Sequence, residues 1–478
     1  MHEQRNGRWC RLAAGVGLMA MAATAPAQQM SLEDVLRQAS DGSRSELQRS
    51  RLAVSRAEGS VQQAEGGFDW NLNTGIGYRR LAQPQINAAG SLTDDIEYLN
   101  VLTANIGAEK VLANGVRIRP GFTLTQQSGD SRLASAQLKN QAHFELEVPL
   151  GQAFGRPPEA IRLAGSQAEL AASQADASHG QQTYLRRVMA AAWTVVAAQE
   201  RQAIDREVSA TAKDLSQRMA SLASAKEIAL MTQDEIMARG ALLRATAERG
   251  AADLAAAKVE LATLLNADPA TLQGVEATLP AKLPVPDSAR LSELAARVAE
   301  RRADYRSIAD RAESTRLRGE LARRESDSQV ALVAAHDRLM VNWHQPLGGN
   351  RQAGVARQTE ADAASAALSL EEAKRRASAD VRIAGERLAA IARAADSVAP
   401  AAEQLRQRIG LVQQLADRGQ VPHVANLDAI EQYANAQRQL IDLRLQHAIA
   451  LADLRLVSGT IPATADPKGL VQLFSTLP

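Results

Sequence analysis

Tyr184-Leu185-Arg186-Arg187-Val188-Met189-Ala190-Ala191-Ala192-Trp193-Thr194-Val195-Val196-Ala197-Ala198 is the middle of a longer stretch, residues 159–222, that decides how the rest of the chain is read. Tyr184, Val188, Ala191, Val195 and Ala198 recur at three- and four-residue steps and line one face. Polar residues and alanine fill the other positions, and such residues lose little freedom in a helix. The stretch starts just past Phe154-Gly155-Arg156-Pro157-Pro158 and contains no further proline. At 1.5 Å per residue, roughly 60 residues make a rod of about 90–100 Å. An ordinary globular core needs no such rod; a coiled coil, a repeat array or a tube does.

Composition agrees with long helices. Aromatic residues make up only 3% of the 478, too few for a conventional core and ordinary for alanine-rich helices packed through small side chains. Lys+Arg of 55 against Asp+Glu of 54 leaves no field that would attract nucleic acid.

Residues 1–27 read as a secretory signal. Arg5, Arg8 and Arg11 are its basic region, Leu12 to Ala23 its apolar run, and Ala25-Pro26-Ala27 its cleavage site. The run is short of the roughly 20 residues a membrane helix needs. The one cysteine, Cys10, would leave with the signal, so the exported chain would have no thiol chemistry. Its net charge would change from +1 to −1.

A medium helix follows from Ser31, whose hydroxyl suits the cap before Glu33-Asp34, and stops at Gly66-Gly67. The period then changes to two. Trp70, Leu72, Thr74, Ile76 and Tyr78 alternate with polar residues and glycine. A loop is expected over 83–95, then strands over 99–110 and 116–125 with the Asn114-Gly115 turn between them, and a fourth marked by Phe144, Leu146 and Val148 alternating with His143, Glu145 and Glu147. Four strands of about 9–12 residues suit a transmembrane β-barrel. The same alternation fits a half-buried antiparallel sheet in water. Export, and the lack of a segment to cover the sheet, favour the barrel.

The order then repeats. The first half spans 28–270: a helix, a β insert over 68–150, a long helix over 157–222, a break around Ser224-Ala225-Lys226-Glu227 and a helix to 266. A proline-bearing linker covers 271–288. The second half, 289–460, has a medium helix over 291–324, a short β insert over 328–347, a long helix over 351–417, the break Arg418-Gly419 and a helix over 426–457. Residues 461–478 read as a tail. Val148-Pro149-Leu150-Gly151 and Gln345-Pro346-Leu347-Gly348 open the two long helices. Hairpins that cannot bury themselves alone call for assembly about a common axis.

This order of elements, with its two Pro-Leu-Gly turns and two hairpin breaks, resembles the TolC-type outer membrane factor family over essentially the whole exported chain. The second break is the best local match, with Arg418-Gly419 followed by Asn426-Leu427-Asp428-Ala429. The resemblance implies an α+β membrane protein with an internal duplication. Three protomers would complete a long-helix α-barrel in the periplasm and a β-barrel in the outer membrane. It implies a passive exit duct for an efflux pump or a type I secretion system, docked on a periplasmic adaptor and an inner-membrane pump, with no cofactor. Asp428 falls where the family places a tip aspartate that narrows the pore, and Asp234 is a looser match in the first half. Arg418 and Gly419 are candidate adaptor contacts, and Gly419 also suits a turn. Ala425 stands where the family has a second acidic residue, and the first break lacks the usual glycine.

Two departures bear on the barrel. The second-half runs, of about six or seven residues, are short for membrane strands, so the first insert is expected to supply most or all of the barrel, four strands from each of three chains. Pro400 lies within the second long helix, where it removes a backbone hydrogen bond.

An enzyme is not indicated. The histidines are scattered, with no His-Glu-x-x-His set, phosphate loop or nucleophile elbow, and Gly240 and Gly250 read as close-packing positions. A periplasmic coiled-coil protein with a soluble β cap is the other reading, against which the four long alternating strands argue.

Overall fold

The structure, a computed structural model, describes residues 28–41, 45–86, 92–129, 137–150, 156–224, 230–326, 329–344, 349–462 and 466–478. The signal expected over 1–27, the centre of the first hairpin break and the glycines of both Pro-Leu-Gly turns lie outside the described residues.

A short strand β1 (Gln28–Ser31) leads into α1 (Leu32–Ser40) and α2 (Ser45–Glu65). Ser31 caps α1 as its sequence predicts, its hydroxyl accepting from the Asp34 backbone N–H at 3.1 Å. Four strands follow, β2 (Asn71–Ile86), β3 (Leu92–Val111), β4 (Arg117–Gly129) and β5 (Gln137–Pro149). The loop expected over 83–95 is largely strand: Pro84 of β2 pairs with Ile96 of β3. Proline is tolerated there because β2 is an edge strand.

Next come the long helix α3 (Pro158–Ser224) and its antiparallel return α4 (Leu230–Leu264). α3 has 67 residues and at 1.5 Å each is about 100 Å long. After β6 (Leu272–Glu276), the second half runs α5 (Ser288–Arg301), α6 (Ala303–Ser326), β7 (Gln329–Ala335), β8 (Leu339–His344), α7 (Asn350–Asp417) and α8 (Val424–Val457). α7 continues through Pro400 without a break. A last helix, α9 (Pro467–Ser475), closes the described chain.

Ion pairs fix the register of the rods. Arg162, Glu169 and Asp176 of α3 meet Glu325, Arg318 and Arg311 of α6 at matching seven-residue steps. Further along, Arg201 and Asp205 meet Asp442 and Arg438 of α8. The exposed pairs with α6 contribute about 0–1 kcal/mol each, whereas Asp205 is buried beside Arg438. Their consequence is alignment, as at the flanks of a coiled coil. Gly250 lies against Asp205, where an added Cβ would come within 2.7 Å of Oδ2, and Gly240 lies against Ser216. Both are packing positions.

Burial supplies the adhesion. The main cluster gathers Leu36, Met189, Trp193, Leu261, Leu265, Ile461, Leu470 and Phe474 from α1, α3, α4 and the C-terminal segment. Residues 461–478 are therefore no loose tail: α9 seats Leu470 and Phe474 in this cluster. Arg455 fastens it further, its guanidinium donating to the Thr476 and Leu477 carbonyls at the end of α9. Burial pulls that guanidinium down to about 10. The expected linker also has structure, since β6 pairs in parallel with β1.

Each medium helix is divided. In the second half the break is Arg302, which leaves the helical region at φ −71, ψ 122. Its guanidinium bonds Asp304 at 2.6 Å and Asp380 of α7 at 2.9 Å. Burial opposes both charges of the Arg302–Asp304 pair. Their mutual bond outweighs it, holding Arg302 above and Asp304 below the ordinary range.

The linker docks on α8 through His447, almost fully buried, with Nε2 at 3.1 Å from the Pro284 carbonyl. Burial lowers its affinity for a proton, so the folded state keeps it neutral. The unfolded chain takes up that proton near pH 6.5. Stability is thus full above pH 6.5 and falls below it, by up to about 1.4 kcal/mol per pH unit, until the folded imidazole also titrates. His447→Gln keeps an N–H donor and removes the titration. We expect it to flatten the pH dependence of the melting temperature just below pH 6.5; an unchanged slope would show that His447 is not the group responsible.

Candidate functional site

The six strands form one antiparallel sheet in the order β2-β3-β4-β5-β7-β8. The short second-half hairpin pairs only with the end of β5, from Glu145 to Pro149, so it widens the sheet at one end. The first insert therefore supplies the full-length strands but not the whole sheet.

Pairing registers assign every side chain to a face, because successive residues alternate. One face carries Leu72, Ile76 and Tyr78 of β2, Leu102 and Ile106 of β3, Phe122 and Leu124 of β4, and Leu138 and Phe144 of β5. The short hairpin continues it with Leu332, Val341 and Trp343. These apolar groups are open: Ile76 is 83% exposed, Leu72 and Trp343 each 68%. The other face carries Asn73, Asn105, Thr103, Thr123, Thr125, Gln141 and Lys139.

The apolar face is bounded. At the helix end, Lys110 stands 5.5 Å over the Trp70 ring. At the far end, the Arg80 guanidinium stacks 4.1 Å over the Tyr98 ring and the Tyr78 hydroxyl donates to Asn100 at 2.7 Å. Ten residues separate Trp70 from Arg80, about 33 Å along a strand. At the strand tilt of membrane barrels this gives a band about 25 Å tall, the height of an outer-membrane apolar belt.

At the helix end of the polar face, Arg119 donates to Glu145 at 2.9 Å and also meets Glu147 at 2.7 Å and Glu109 at 3.3 Å. Arg117 reaches Glu147 and then Glu159, in the first turn of α3. This network joins the sheet to the rods.

At the opposite end of the rods, α7 stops in a Schellman turn: the Gln420 N–H reaches the Leu415 carbonyl and the Gly419 N–H that of Ala416. Gly419 has φ +70, which explains glycine there. On α8, the Asp428 carboxylate accepts a hydrogen bond from Arg239 of α4, which also meets Glu235. The two hairpins are thus bonded to each other near their tips.

Comparison with solved structures follows this geometry. The Campylobacter jejuni CmeC outer membrane channel matches with a TM-score of 0.67 at 12% identity, covering 100% of this chain and 98% of that one. The Vibrio cholerae outer membrane protein VceC matches at 0.66 and 15% identity, covering 90% and 96%. The chain has the TolC-type fold. The open state of the Neisseria gonorrhoeae MtrE outer membrane channel shares it, at 0.63 and 14% identity over 96% and 98%. No family model and no curated protein gives a significant match to the sequence.

Within the TolC-type fold, the sequence-predicted residues separate. Asp428 lies just past the first turn of α8; its side chain is 46% exposed and held toward Arg239. Asp234 is exposed on α4, and Arg418 is exposed at the second tip. Arg239 is the residue that sequence reading missed, since its partner is 189 positions away and no local spacing marks the pair. Among the described residues no group of histidine, cysteine and carboxylate side chains is arranged to hold a metal ion. No described helix is long and apolar enough to cross a membrane.

Proposed function

We propose that this chain is an outer-membrane exit duct, in which three copies close the sheets into a barrel and the rods into a periplasmic α-barrel. The observation that carries this reading is the two-faced sheet standing on rods of about 100 Å. Its open apolar band has the height of a membrane and its other face is polar. In water such a band would be a large exposed apolar patch, which argues against a soluble cap. In lipid it is satisfied, provided neighbouring copies remove the sheet edges.

Conduction is passive on this reading: a wet tube, with energy from an inner-membrane pump reached through a periplasmic adaptor, in an efflux or a type I secretion assembly. Arg418 and Gly419 at the second tip are proposed adaptor contacts. Asp428, with Asp234 in support, is proposed to set the charge at the narrow end, where three copies favour cations over anions. The Arg239 bond matches that charge while the tips are together.

Membrane fractionation followed by native mass of the detergent-extracted protein tests the duct. Outer-membrane recovery at three times the mass of the exported chain is expected; a soluble periplasmic species would refute it. Asp428→Asn is expected to weaken cation preference in planar bilayers, and Arg239→Ala to raise conductance. Unchanged currents in both would remove the tip pair from the mechanism.

A further inference from the structure

A groove of about 310 Å³ lies where α3 meets α7 and α8; it starts at the level of the Asp205–Arg438 pair and runs toward the tips. Its apolar lining comes from Val208 and Leu215 of α3, Ile409 of α7 and Ile430 of α8. Its polar lining includes Glu207 of α3 and Asn426 and Tyr433 of α8. We propose that this groove binds an elongated organic monocation, with the charge at Glu207 and Tyr433, an apolar body between the helices and an N–H donor at Asn426. Asn426 is two residues, about 200°, from Asp428 around α8, so the groove opens on the other side of that helix from the tip pair. A single chain forms it, so the proposal does not depend on the duct reading.

Charge, an unmet acceptor and length select that occupant. The charged side chains of the lining are Glu207, Asp214 and Arg218. Asp214 and Arg218 pair with each other across one helical turn, which leaves one negative charge, on Glu207. Among the described residues the Glu207 carboxylate has no hydrogen bond or ion pair. The pairs Arg201–Asp442 and Asp205–Arg438 set the register of α3 against α8. At that register Tyr433 stands within one turn of Glu207, and Asn426 stands level with Gln217, ten residues and about 15 Å from Glu207. Gln437 donates to the Tyr433 hydroxyl at 3.2 Å and so fixes that side chain. A carboxylate beside an aromatic ring attracts a cation and repels an anion. At the far end the Asn426 Oδ1 is buried with no hydrogen-bond partner among the described residues, a deficit that a ligand N–H removes. Hydrogen bonds of about 3 Å at each end leave about 9 Å between the ligand's cation and its donor. The apolar residues between them take an aromatic or aliphatic body, as in other small-molecule sites.

Equilibrium dialysis of the full chain in detergent, with protein-free micelles as the blank, tests the site with three probes. Procainamide carries a tertiary ammonium at one end, an aromatic amine at the other and a ring between them. Benzocaine keeps the ring and the amine without the charge, and the des-amino analogue of procainamide keeps the charge and the ring without the amine. Procainamide is expected to bind about tenfold more tightly than either. Glu207→Gln should lower procainamide affinity about tenfold and leave benzocaine unchanged. Asn426→Leu should weaken procainamide and leave the des-amino analogue unchanged. Thr211→Phe, which fills the groove, should abolish procainamide binding. Glu207 and Thr211 are exposed on α3, so their variants keep the fold, and thermal melting verifies it. If Asn426→Leu does not fold, the other two variants decide the matter. Equal affinity for the three probes, unchanged affinity in Glu207→Gln, undiminished binding in Thr211→Phe, or no binding by the wild-type chain would each overturn the site.

Discussion

Gly459→Ala is expected to lower folding stability by about 3 kcal/mol, combining a left-handed backbone cost with overpacking. Gly459 ends α8 at φ +65, in a turn where the Thr460 N–H reaches the Arg455 carbonyl. An added Cβ would stand 2.7 Å from the Arg301 carbonyl carbon and 2.9 Å from the Arg302 nitrogen. Both are backbone atoms, and they belong to the peptide that divides α5 from α6. Displacing that peptide also moves the Arg302 guanidinium away from Asp380, loosening α7. Gly419 provides the control: it has the same backbone region at φ +70, but nothing lies within 4 Å of its Cβ position. Gly419→Ala should therefore cost only about 1 kcal/mol. Thermal melting of the helical signal in both purified variants checks the pair. Equal losses would mean that close packing at Gly459 contributes nothing.

That contrast also shows what the sequence could and could not reveal. Both glycines follow helical text and both were readable as stops, yet only the fold shows that one of them is pressed against a distant helix. The rods were legible because three- and four-residue periodicity persists over more than fifteen turns of α3. The four long strands were legible because Leu72, Ile76, Phe122 and Phe144 alternate with polar residues. The β1–β6 pair was not, because strands of four and five residues carry no period and their partners are far apart in sequence. α9 reads as a tail in the sequence because Pro467-Lys468-Gly469 hides a helix whose anchors, Leu470 and Phe474, number only two. The Arg302 break has no glycine or proline to announce it, and the partner that Arg302 finds on α7, Asp380, is 78 positions away. At the candidate site, Asp428 could be placed by the hairpin pattern, while Arg239 could be found only by bringing α4 beside α8.

Arg119→Met is the second large effect expected, about 2 kcal/mol, because it removes the cation that three glutamates share on one side of the sheet. Glu109, Glu145 and Glu147 come from β3 and β5, and all three converge on Arg119 of β4. The groups are partly exposed, so solvent moderates the loss below that of a fully buried network. Glu145 retains Arg338 from the β7–β8 turn, and Glu147 retains Arg117, which itself holds Glu159 of α3. The network thus ties first insert, second insert and rod together, and weakening it should loosen the joint while leaving both faces of the sheet intact. Repulsion among the glutamates makes the prediction specific. Adding Glu145→Gln to Arg119→Met should recover part of the lost melting temperature, although Glu145→Gln alone lowers it. Salt near 1 M, which shortens the screening length to about 3 Å, should recover part as well. A variant that melts with wild type at low salt, or that gains nothing from the second substitution, would show that the ion pairs of Arg119 contribute nothing to the stability of the sheet.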